Sequence, residues 1–352
     1  MKKKIIFVVA SMAGGGAERV IAILANQFIK RDLDVAIMMT AGNEVVYNLE
    51  PKIELISIGG RTAGSMAARI QRVKKMREHF KKNVPAIIIP FGVGESVYAV
   101  AANMGLRNKM IISERNDPAA CKYPGLRNWI YSRADYRVYQ TEMAKESFPK
   151  YLQKNSQVIP NPVSSALPQT NGEEREKKIA AVGRLENQKN YPMMLEAYSL
   201  FYKIHPDYKL HIYGKGYLLD ELKILAEELN ITEGIVWEGF CSNVWKQITN
   251  AAMYVLSSDY EGISNSMLEA LALGLPVIST DCPIGGSRMC ITHKENGMLI
   301  PVGDSQALAK AMCEIVEDKS LAKKLSENAY KIREKFSEEN ISNQWLKIIC
   351  EI

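Results

Sequence analysis

Residues 258–278 read SDYEGISNSMLEALALGLPVI, and the organisation of the chain follows from this stretch outward. Its apolar run Met267–Leu273 consists of good helix formers. Ser264 or Asn265 can cap the start of that helix, because a short polar side chain accepts a hydrogen bond from a free amide of the first turn. The segment Gly274–Pro276 ends it. The stretch therefore predicts a short helix with defined ends.

Two glutamates flank the start of this predicted helix. Glu261 lies just ahead of it, and Glu269 lies in its first turns, eight residues later. The free N–H groups of residues 263–265 and the positive end of the helix dipole meet there, where a phosphate is commonly held. An anion site between two carboxylates that can bind hydroxyl groups suits a sugar nucleotide. The predicted donor contacts in this stretch are Glu261, Gly262, Ile263, Ser264, Asn265 and Glu269.

Length and composition indicate two domains. The chain has 352 residues, which suits two domains of about 150 to 175 residues each. Its hydrophobic content of 47% is ample for two cores. Six cysteines are scattered along the chain, with no C-x-x-C pair and no metal-like spacing to the four histidines. This usage is typical of a reducing compartment.

The N-terminal segment MKKKIIFVVA, residues 1–10, superficially resembles a signal peptide. Its apolar run is too short, no usual cleavage site follows, and residues 11–16 are better interpreted as a strand-to-helix turn. No stretch approaches the length of a membrane span. We therefore expect a soluble cytoplasmic protein.

Charge is distributed unevenly along the chain. Residues 1–160 carry 25 basic and 13 acidic side chains, a net charge of +12, whereas residues 161–352 carry 20 and 26, a net charge of −6. The segment Arg61–Lys82 alone holds eight basic residues and one acid, with an apolar stripe at helical spacing. It can be an ordinary surface helix, but together with the basic half it favours weak peripheral contact with an anionic membrane. We expect no nucleic-acid partner.

Apolar runs and helical periodicities alternate along the first half of the chain. Lys4–Ala10 is interpreted as a buried parallel strand and Ala17–Lys30 as the following helix. After the segment Ile159–Val163, which holds two prolines, the same alternation restarts. Alternation at this rhythm predicts an α/β fold with doubly wound parallel sheets. The predicted Rossmann-like domains are residues 1–160 and 161–337.

Several turns after predicted strands can carry binding chemistry. The first strand of the second domain ends at Gly183–Arg184 and is followed by Lys189 at a helix start, which places two cations near one point. Gly214 ends a further strand, and Gly239-Phe240 ends the next. Glycine at such positions lets the backbone approach a ligand closely.

A glycine-rich turn in the first domain has the sequence AGGGAER, residues 13–19. Its candidate donor contacts are Gly15 and Gly16, and its candidate contacts to the acceptor or the sugar are Glu18 and Arg19. A dinucleotide-binding site is the rival interpretation, but the spacing is not G-x-G-x-x-G. The next strand also ends without the acidic residue that a ribose would require.

These motifs together carry a resemblance. The E-x7-E element followed by A-L-x-x-G-x-P-V-I-x-T resembles the donor-binding signature of the retaining glycosyltransferases of the GT-B fold, family 4. The G-R-L-x-x-x-K element at 183–189 and the I-x-G-x-G turn at 212–216 are similar to that family's motifs. The C-x-x-G-G-x-R loop at 282–288 resembles members that use UDP-sugars for surface glycans. The resemblance covers essentially the whole chain.

The resemblance implies the fold and the roles of these residues. It implies two Rossmann-like domains facing a central cleft, with a C-terminal helix, residues 338–352, packing back on the first. Arg184 and Lys189 would hold the donor diphosphate and stabilise charge on the leaving group. Glu269 would bind the ribose hydroxyls and Glu261 those of the donor sugar. The loop of Gly285 and Gly286 would contact the sugar or the diphosphate, and Gly239 with Phe240 would meet the base.

One loop departs from the family pattern. Many members place a histidine after the strand that corresponds to Met110–Ser113, but here the loop reads SERNDP. Arg115 or Asn116 can contact the sugar or the acceptor, and Asp117 is a conceivable base. A front-face reaction, in which the leaving phosphate takes the proton, would need no base.

The D-x-D sequence Asp32-Leu-Asp34 is formally the metal motif of another glycosyltransferase fold. It precedes a strand, whereas a metal site would follow one, so we interpret it as turn chemistry. We predict no required metal and no cofactor.

The sequence thus predicts a retaining transferase that moves a hexose or N-acetylhexosamine from a UDP-sugar to a lipid-linked or polysaccharide acceptor. The product would be a surface glycan such as a capsule, lipopolysaccharide or exopolysaccharide. Two alternatives stay open. One is another GT-B activity such as a UDP-sugar epimerase, and the other is a catalytically silent membrane-associated module that binds sugar nucleotides.

Overall fold

The computed structural model describes residues 3–59, 65–168, 175–241 and 243–352. In this part of the chain the strands are β1 Lys4–Val9, β2 Val35–Met39, β3 Glu54–Ser57, β4 Ala86–Pro90, β5 Lys109–Ser113, β6 Tyr136–Tyr139, β7 Ser156–Val158, β8 Glu176–Val182, β9 Lys209–Tyr213, β10 Ile235–Gly239, β11 Ala251–Leu256, β12 Val277–Thr280 and β13 Met298–Ile300.

The helices alternate with these strands. They are α1 Gly16–Lys30, α2 Met66–Lys82, α3 Val93–Asn103, α4 Pro124–Tyr131, α5 Glu142–Glu146, α6 Lys150–Gln153, α7 Tyr191–Tyr202, α8 Leu219–Glu228, α9 Val244–Ile248, α10 Asn265–Ala272, α11 Gly286–Cys290, α12 Ser305–Glu317, α13 Lys319–Tyr330, α14 Ile332–Lys335 and α15 Glu338–Glu351. Short 3-10 turns lie at Pro118–Ala120, Asn187–Lys189 and Thr232–Gly234.

The first of two compact units comprises residues 1–162 and 338–352. Its sheet has the strand order β3-β2-β1-β4-β5-β6-β7, and every neighbouring pair is parallel. Strand β1 is almost wholly apolar because helices cover both faces of the sheet. The C-terminal helix α15 belongs to this unit, where Trp345 is fully buried and stacks on Phe91 at 5.9 Å between ring centroids.

The second unit comprises residues 163–337. Its sheet has the order β10-β9-β8-β11-β12-β13 and is also parallel throughout. Helices α7 and α12 pack on the sheet through a core that includes Leu195, Tyr198, Phe201 and Leu308. In both units the strand order reverses once, between β1 and β4 and between β8 and β11. In such sheets, ligands bind at the carboxyl ends of the strands on either side of the reversal.

The structure confirms the predicted fold class of two doubly wound parallel sheets. The helix predicted at Ala17–Lys30 begins one residue earlier, at Gly16, and the strand predicted at Lys4–Ala10 ends one residue earlier, at Val9. The short edge strands β7 and β13 and the five-residue helix α11 were not predicted. Elements of three to five residues are too short to show a periodicity.

The basic helix α2 exposes part of its predicted apolar stripe. The predicted stripe is Met66, Ile70, Val73 and Phe80. Phe80 is buried, as is its neighbour Met76, whereas Met66 and Ile70 near the helix start are 69% and 50% exposed. Arg61, the first residue of the predicted basic segment, lies outside the described residues. Among the described residues no helix combines the length and the apolar character needed to cross a membrane.

Candidate functional site

Helix α10 has the defined ends that the sequence predicts. Ser264 is its N-cap, and the Ser264 hydroxyl accepts a hydrogen bond from the Met267 amide at 3.5 Å. At the other end Gly274 has φ +66°, and its amide donates to Leu271 O at 2.8 Å. The Leu275 amide donates to Ala270 O at 3.1 Å, which completes a Schellman motif. Both ends of α10 are therefore fixed by hydrogen bonds.

The charges of the two glutamates of this stretch both raise the pKa of one tyrosine. Glu261 and Glu269 are only 9% and 2% exposed. Burial raises the pKa of Tyr254, and the negative charges of Glu261 and Glu269 raise it further. The Tyr254 hydroxyl donates to Ser266 Oγ at 2.8 Å, at the start of α10. Both carboxylates therefore lie within electrostatic reach of one neutral phenol.

Glu261 also pairs with the lysine of the β8 loop. Lys189 Nζ forms a short ion pair with Glu261 Oε1, and the Ser258 hydroxyl donates to the same oxygen at 3.0 Å. The side chains of Lys189 and Glu261 are 14% and 11% exposed. Gly183 gives the lysine room, because a Cβ at this position would lie 3.1 Å from Lys189 Cε. Removing either partner would leave a largely buried charge unpaired.

The loops after β8 and β11 are joined along their length. The Ser257 hydroxyl donates to Lys189 O at 2.7 Å, and the Asp259 amide donates to Gln188 O at 3.0 Å. The Asn190 amide group donates to Asp259 Oδ1 at 2.7 Å. These are the two loops at the strand-order reversal of the second sheet, so the ion pair lies where this fold places ligands.

Arg184 has a different ion-pair partner. Its side chain is 68% exposed and pairs with Glu186 at 3.0 Å. The structure therefore pairs Lys189 with Glu261 and Arg184 with Glu186. The Tyr191 hydroxyl donates to Gly183 O at 3.2 Å, and this bond holds the loop that carries Arg184 and Lys189.

The glycines of the β9 turn serve loop packing. A Cβ at Gly214 would lie 1.8 Å from Gly183 O, and one at Gly216 would lie 2.1 Å from Leu185 O. The Gly214 amide also donates to Gly239 O at 2.8 Å. These glycines therefore allow a close approach of neighbouring backbone, because the ends of β8, β9 and β10 lie side by side here. Phe240, the predicted base contact, is 58% exposed.

The loop that holds Gly285 and Gly286 packs on the loop that leads into α10. A Cβ at Gly286 would lie 1.8 Å from Gly262 O, so no side chain fits there. Nearby, Thr280 Oγ1 and Cys282 Sγ both donate to Ser258 O, at 2.6 and 3.3 Å. Ser258, Thr280 and Cys282 were not predicted as site residues. The signal that could have indicated them is their position at the end of a strand or within two residues after it.

In the first unit, the glycine turn after β1 is held by a tyrosine that was not predicted. The Tyr47 hydroxyl donates to Gly15 O at 2.8 Å and accepts from the Gly15 amide at 2.9 Å. Gly15 caps α1, which begins at Gly16. A Cβ at Gly15 would lie 2.3 Å from a Glu18 carboxylate oxygen. Glu18 and Arg19 both influence the pKa of Tyr47, which burial raises.

The loop after β5 turns its arginine inward. The Arg115 guanidinium lies 4.6 Å from the Phe91 ring and 5.6 Å from the Trp345 ring, and Nη1 donates to Asn161 Oδ1 at 2.9 Å. Burial lowers the pKa of Arg115 to about 9. Asp117 caps a 3-10 turn by accepting from the Ala119 amide at 2.8 Å. Arg115 and Asp117 are thus engaged within the fold, whereas Asn116 is exposed.

Metal-ligand groups come together once in the described part of the chain. His205, Cys313 and Glu317 place one ligand atom each within 4.8 Å of one another. The sequence showed no such cluster, because His205 and Cys313 are far apart along it. None of the predicted site residues belongs to this group. In the D-x-D turn, Asp34 lies 3.5 Å from Lys4 Nζ.

Comparison with known proteins gives a family match within the second unit. Residues 164–332 match the family model of Glycosyl transferases group 1. The chain is 28% identical over 359 residues to a Campylobacter jejuni enzyme, and 99% of each chain is covered. That relative is named GalNAc-alpha-(1->4)-GalNAc-alpha-(1->3)-diNAcBac-PP-undecaprenol alpha-1,4-N-acetyl-D-galactosaminyltransferase.

Solved structures share the fold over the full length. Anabaena HepE in complex with UDP and glucose matches with a TM-score of 0.85 at 17% identity, covering 99% of this chain and 100% of that one. A TarM variant from S. aureus with UDP bound matches with a TM-score of 0.83 at 15% identity, covering 98% and 99%. The predicted GT-B fold is confirmed.

Proposed function

We propose that this chain, which has a group 1 glycosyltransferase domain at residues 164–332, uses a UDP-sugar donor. The transferred group is a hexose or N-acetylhexosamine, the anomeric configuration is retained, and the acceptor is lipid-linked or a growing polysaccharide. The product belongs to surface-glycan biosynthesis.

The observation that carries this proposal is the ion pair of Lys189 and Glu261 beside the start of α10. A nucleoside diphosphate leaves with growing negative charge, and a lysine fixed in a largely buried position stabilises that charge without reorganisation. The amides of residues 262–265 add the anion site of a helix N-terminus. Arg184 is exposed and has the length to reach a bound diphosphate from outside.

The two buried glutamates suit hydroxyl recognition. Glu269 binds the ribose and Glu261 binds the donor sugar in this proposal. When the donor diphosphate takes up the Lys189 charge, the Glu261 carboxylate is released to accept from sugar hydroxyls. Carboxylates held by neighbouring hydroxyls, as Glu261 is held by Ser258, are positioned for such hydrogen bonds. We expect no metal dependence, since lysine and backbone amides supply the positive charge.

The proposed acceptor and location are supported by a relative and by helix α2. The name of the Campylobacter relative describes a transfer to a glycan carried on undecaprenol diphosphate. Here Met66 and Ile70 are exposed on a helix that also exposes Arg69 and Lys74. Exposed apolar side chains among basic ones favour the surface of an anionic membrane. We therefore place the enzyme in the cytoplasm, in weak peripheral contact with the membrane.

A donor and acceptor screen tests the activity. The full chain is incubated with UDP-glucose, UDP-galactose and their N-acetylated forms, with and without an undecaprenol-diphosphate-linked glycan. We expect UDP release that requires the acceptor, and an NMR spectrum that shows a product of retained configuration. Conversion of donor without acceptor would instead establish an epimerase. UDP binding without UDP release in any mixture would establish a silent module.

A matched pair of variants tests the ribose assignment. Glu269→Gln keeps the shape of a buried side chain but removes its charge, and we expect UDP to bind about tenfold more weakly or worse. Glu228→Gln, at the exposed end of α8, is the control and should bind UDP as the unmodified chain does. Calorimetric titration measures both. Equal affinity in the two variants would remove Glu269 from the ribose site.

A further inference from the structure

A candidate metal site lies in the second unit, where helices α7 and α12 end. His205, Cys313 and Glu317 place one ligand atom each within 4.8 Å of one another, and His205 Nε2 lies 3.0 Å from Glu317 Oε1. Imidazole nitrogen, thiolate sulfur and carboxylate oxygen are the ligands that Zn²⁺ takes in proteins. With bonds of about 2.0 to 2.3 Å, the ligand atoms around one tetrahedral Zn²⁺ are about 3.5 Å apart. The three side chains therefore need only small rotations to bind a common ion.

The packing of the two helices brings these three residues together. Cys313 and Glu317 are four residues apart on α12, so both lie on the same face of that helix. Helix α12 packs against α7, and His205 follows the end of α7. The His205 ring packs on Phe201 and Tyr208, with centroid distances of 5.0 and 6.1 Å, and the His205 amide donates to Phe201 O at 3.0 Å. The fold itself thus positions the imidazole beside the two ligands of α12.

The surroundings of these three side chains favour a cation. Helices α7 and α12 end at Tyr202 and Glu317, and the last carbonyl groups of a helix carry a partial negative charge. Burial raises the pKa of Cys313, and the negative charge of Glu317 raises it further. A divalent ion would remove this penalty, because a metal-bound thiol is deprotonated outright. The neighbouring Asp207 forms an ion pair with Lys177, so the fourth position is left to water.

A surface ion pair is the simpler explanation for two of the three residues. The Glu317 side chain is 58% exposed, and a pair between exposed groups contributes little to stability. Such a pair accounts for His205 and Glu317, but not for a cysteine within the same 4.8 Å. Cys313 is a free thiol that packs at the edge of the core of the second unit. A soft sulfur ligand beside imidazole and carboxylate selects Zn²⁺ over Mg²⁺ and Ca²⁺, which prefer oxygen ligands.

We propose that His205, Cys313 and Glu317 bind Zn²⁺ and that the ion cross-links the C-terminal ends of α7 and α12. Helix α7 has 12 residues and is therefore about 18 Å long. The loop that carries Lys189 precedes its first residue, so the ion lies at the far end of this helix from the proposed donor contacts. The ion thus stabilises the second unit without taking part in the transfer, and the inference does not depend on the proposed function.

Metal titration tests the ligands. The full chain, without an affinity tag and with its thiols reduced, is titrated with Co²⁺, whose bond to a thiolate gives a charge-transfer absorption band. We expect one Co²⁺ per chain, a thiolate band, and displacement by Zn²⁺, which binds such ligands more tightly. Cys313→Ser should abolish the band. His205→Gln and Glu317→Gln should weaken Zn²⁺ binding about a hundredfold or more, because the loss of even an outer-shell partner costs about 10- to 100-fold.

Matched controls lie outside the group of three. Cys350→Ser removes an exposed free thiol of α15, and Glu314→Gln removes a carboxylate that lies about one turn before Glu317 and pairs with Lys294. Both variants should bind Zn²⁺ as the unmodified chain does. If the controls and the ligand variants bind Zn²⁺ equally, or if no thiolate band forms, the three residues do not make a metal site.

Thermal unfolding tests the cross-link. With free Zn²⁺ at about a hundred times its Kd, the Tm of the unmodified chain should rise by about 5 to 10 °C. The rise should be absent in Glu317→Gln and retained in Glu314→Gln. The Glu317 side chain is exposed, so its replacement leaves the core unchanged. Binding of Zn²⁺ with no rise in Tm would overturn the cross-link.

UDP release separates this site from the donor site. In the donor and acceptor screen, the chain should release UDP at the same rate with added Zn²⁺ and after treatment with a chelator. A loss of activity that Zn²⁺ restores in the unmodified chain but not in Glu317→Gln would place the ion in the reaction and overturn the structural role. Absence of UDP release from a chain that binds Zn²⁺ would count against the proposed function alone.

Discussion

The two sheets reverse their strand order in the same way, but the charges at the two reversals differ. In the second unit the loops after β8 and β11 bring together opposite charges, Lys189 and Glu261, which form an ion pair. In the first unit the loops after β1 and β4 lead to two acids, Glu18 and Glu95. Burial raises the pKa of Glu95 and the charge of Glu18 raises it further.

This difference indicates which unit is prepared before its ligand arrives. The second unit has a compensated pair in loops that are joined by hydrogen bonds, so in the proposed function a diphosphate meets groups already in place. In the first unit the charge of Glu18 raises the pKa of the buried Glu95 and the charge of Arg72 lowers it. The same strand order thus carries an ion pair at one reversal and a cluster of two acids and one arginine at the other.

The largest effect is expected from breaking the pair in the second unit. Lys189→Ala should lower kcat/KM by about 10² to 10³, the scale seen when a donor to a developing oxyanion is removed. Steady-state UDP release measures it. Lys177→Ala is the matched control, since it breaks an exposed ion pair in the same unit. A similar loss in both variants would mean that Lys189 acts through stability rather than on the donor.

The next effect tests how tightly the donor loops are packed. Gly286→Ala should lower the free energy of unfolding by about 3 kcal/mol, because its Cβ would overlap Gly262 O at 1.8 Å. Urea denaturation followed by circular dichroism measures this change. Gly125→Ala, in α4 with no atom within 4 Å of its Cβ, should be neutral or slightly stabilising. Equal stability of the two variants would show that these loops rearrange freely.

The sequence predicted the fold class and the ends of α10, because periodicity, caps and breakers are local signals. It did not predict that Lys189 pairs with Glu261 while Arg184 turns to Glu186. Side-chain pairing between loops depends on which strands are neighbours and on rotamers that no local pattern encodes. The glycines at 214 and 216 show the same limit, since their pattern predicts a close approach but not its partner.

Other site residues left no distinctive pattern. Tyr47 lies 32 residues from Gly15, and a tyrosine in a loop has no spacing that marks it as a support. Arg115 stood in a loop typical of ligand contacts, yet it stacks on Phe91 and Trp345. The contribution of α15 to this stack requires a helix from the far end of the chain. Long-range packing of this kind is set by the tertiary fold alone.

A smaller effect tests the support of the first unit's glycine turn. Tyr47→Phe removes the donor to Gly15 O and the acceptor for the Gly15 amide, and should lower the free energy of unfolding by about 1 kcal/mol. Denaturant titration measures the change. Tyr217→Phe is the control, since that hydroxyl is exposed and accepts one long hydrogen bond of 3.3 Å from the Asn187 amide. A loss no larger than the control's would mean that the turn is held by its backbone alone.

The smallest effect is expected in the pH dependence of stability, and it tests the like-charge pair itself. The folded-state pKa of Glu95 lies above the value of 4.5. The native state therefore binds more protons than the unfolded chain between the two pKa values, and stability falls as the pH rises through that window. Glu95→Gln cannot ionise, so its stability relative to the unmodified chain should increase from pH 4 to pH 7.5. Glu18→Gln should produce part of the same change, because it removes the neighbouring charge while leaving burial in place.

Urea unfolding at both pH values measures these differences, with the exposed Glu78→Gln as control. A gain for Glu95→Gln that is equal at the two pH values would show that Glu95 ionises as it would in water, and the contrast between the two strand-order reversals would then lie in geometry alone.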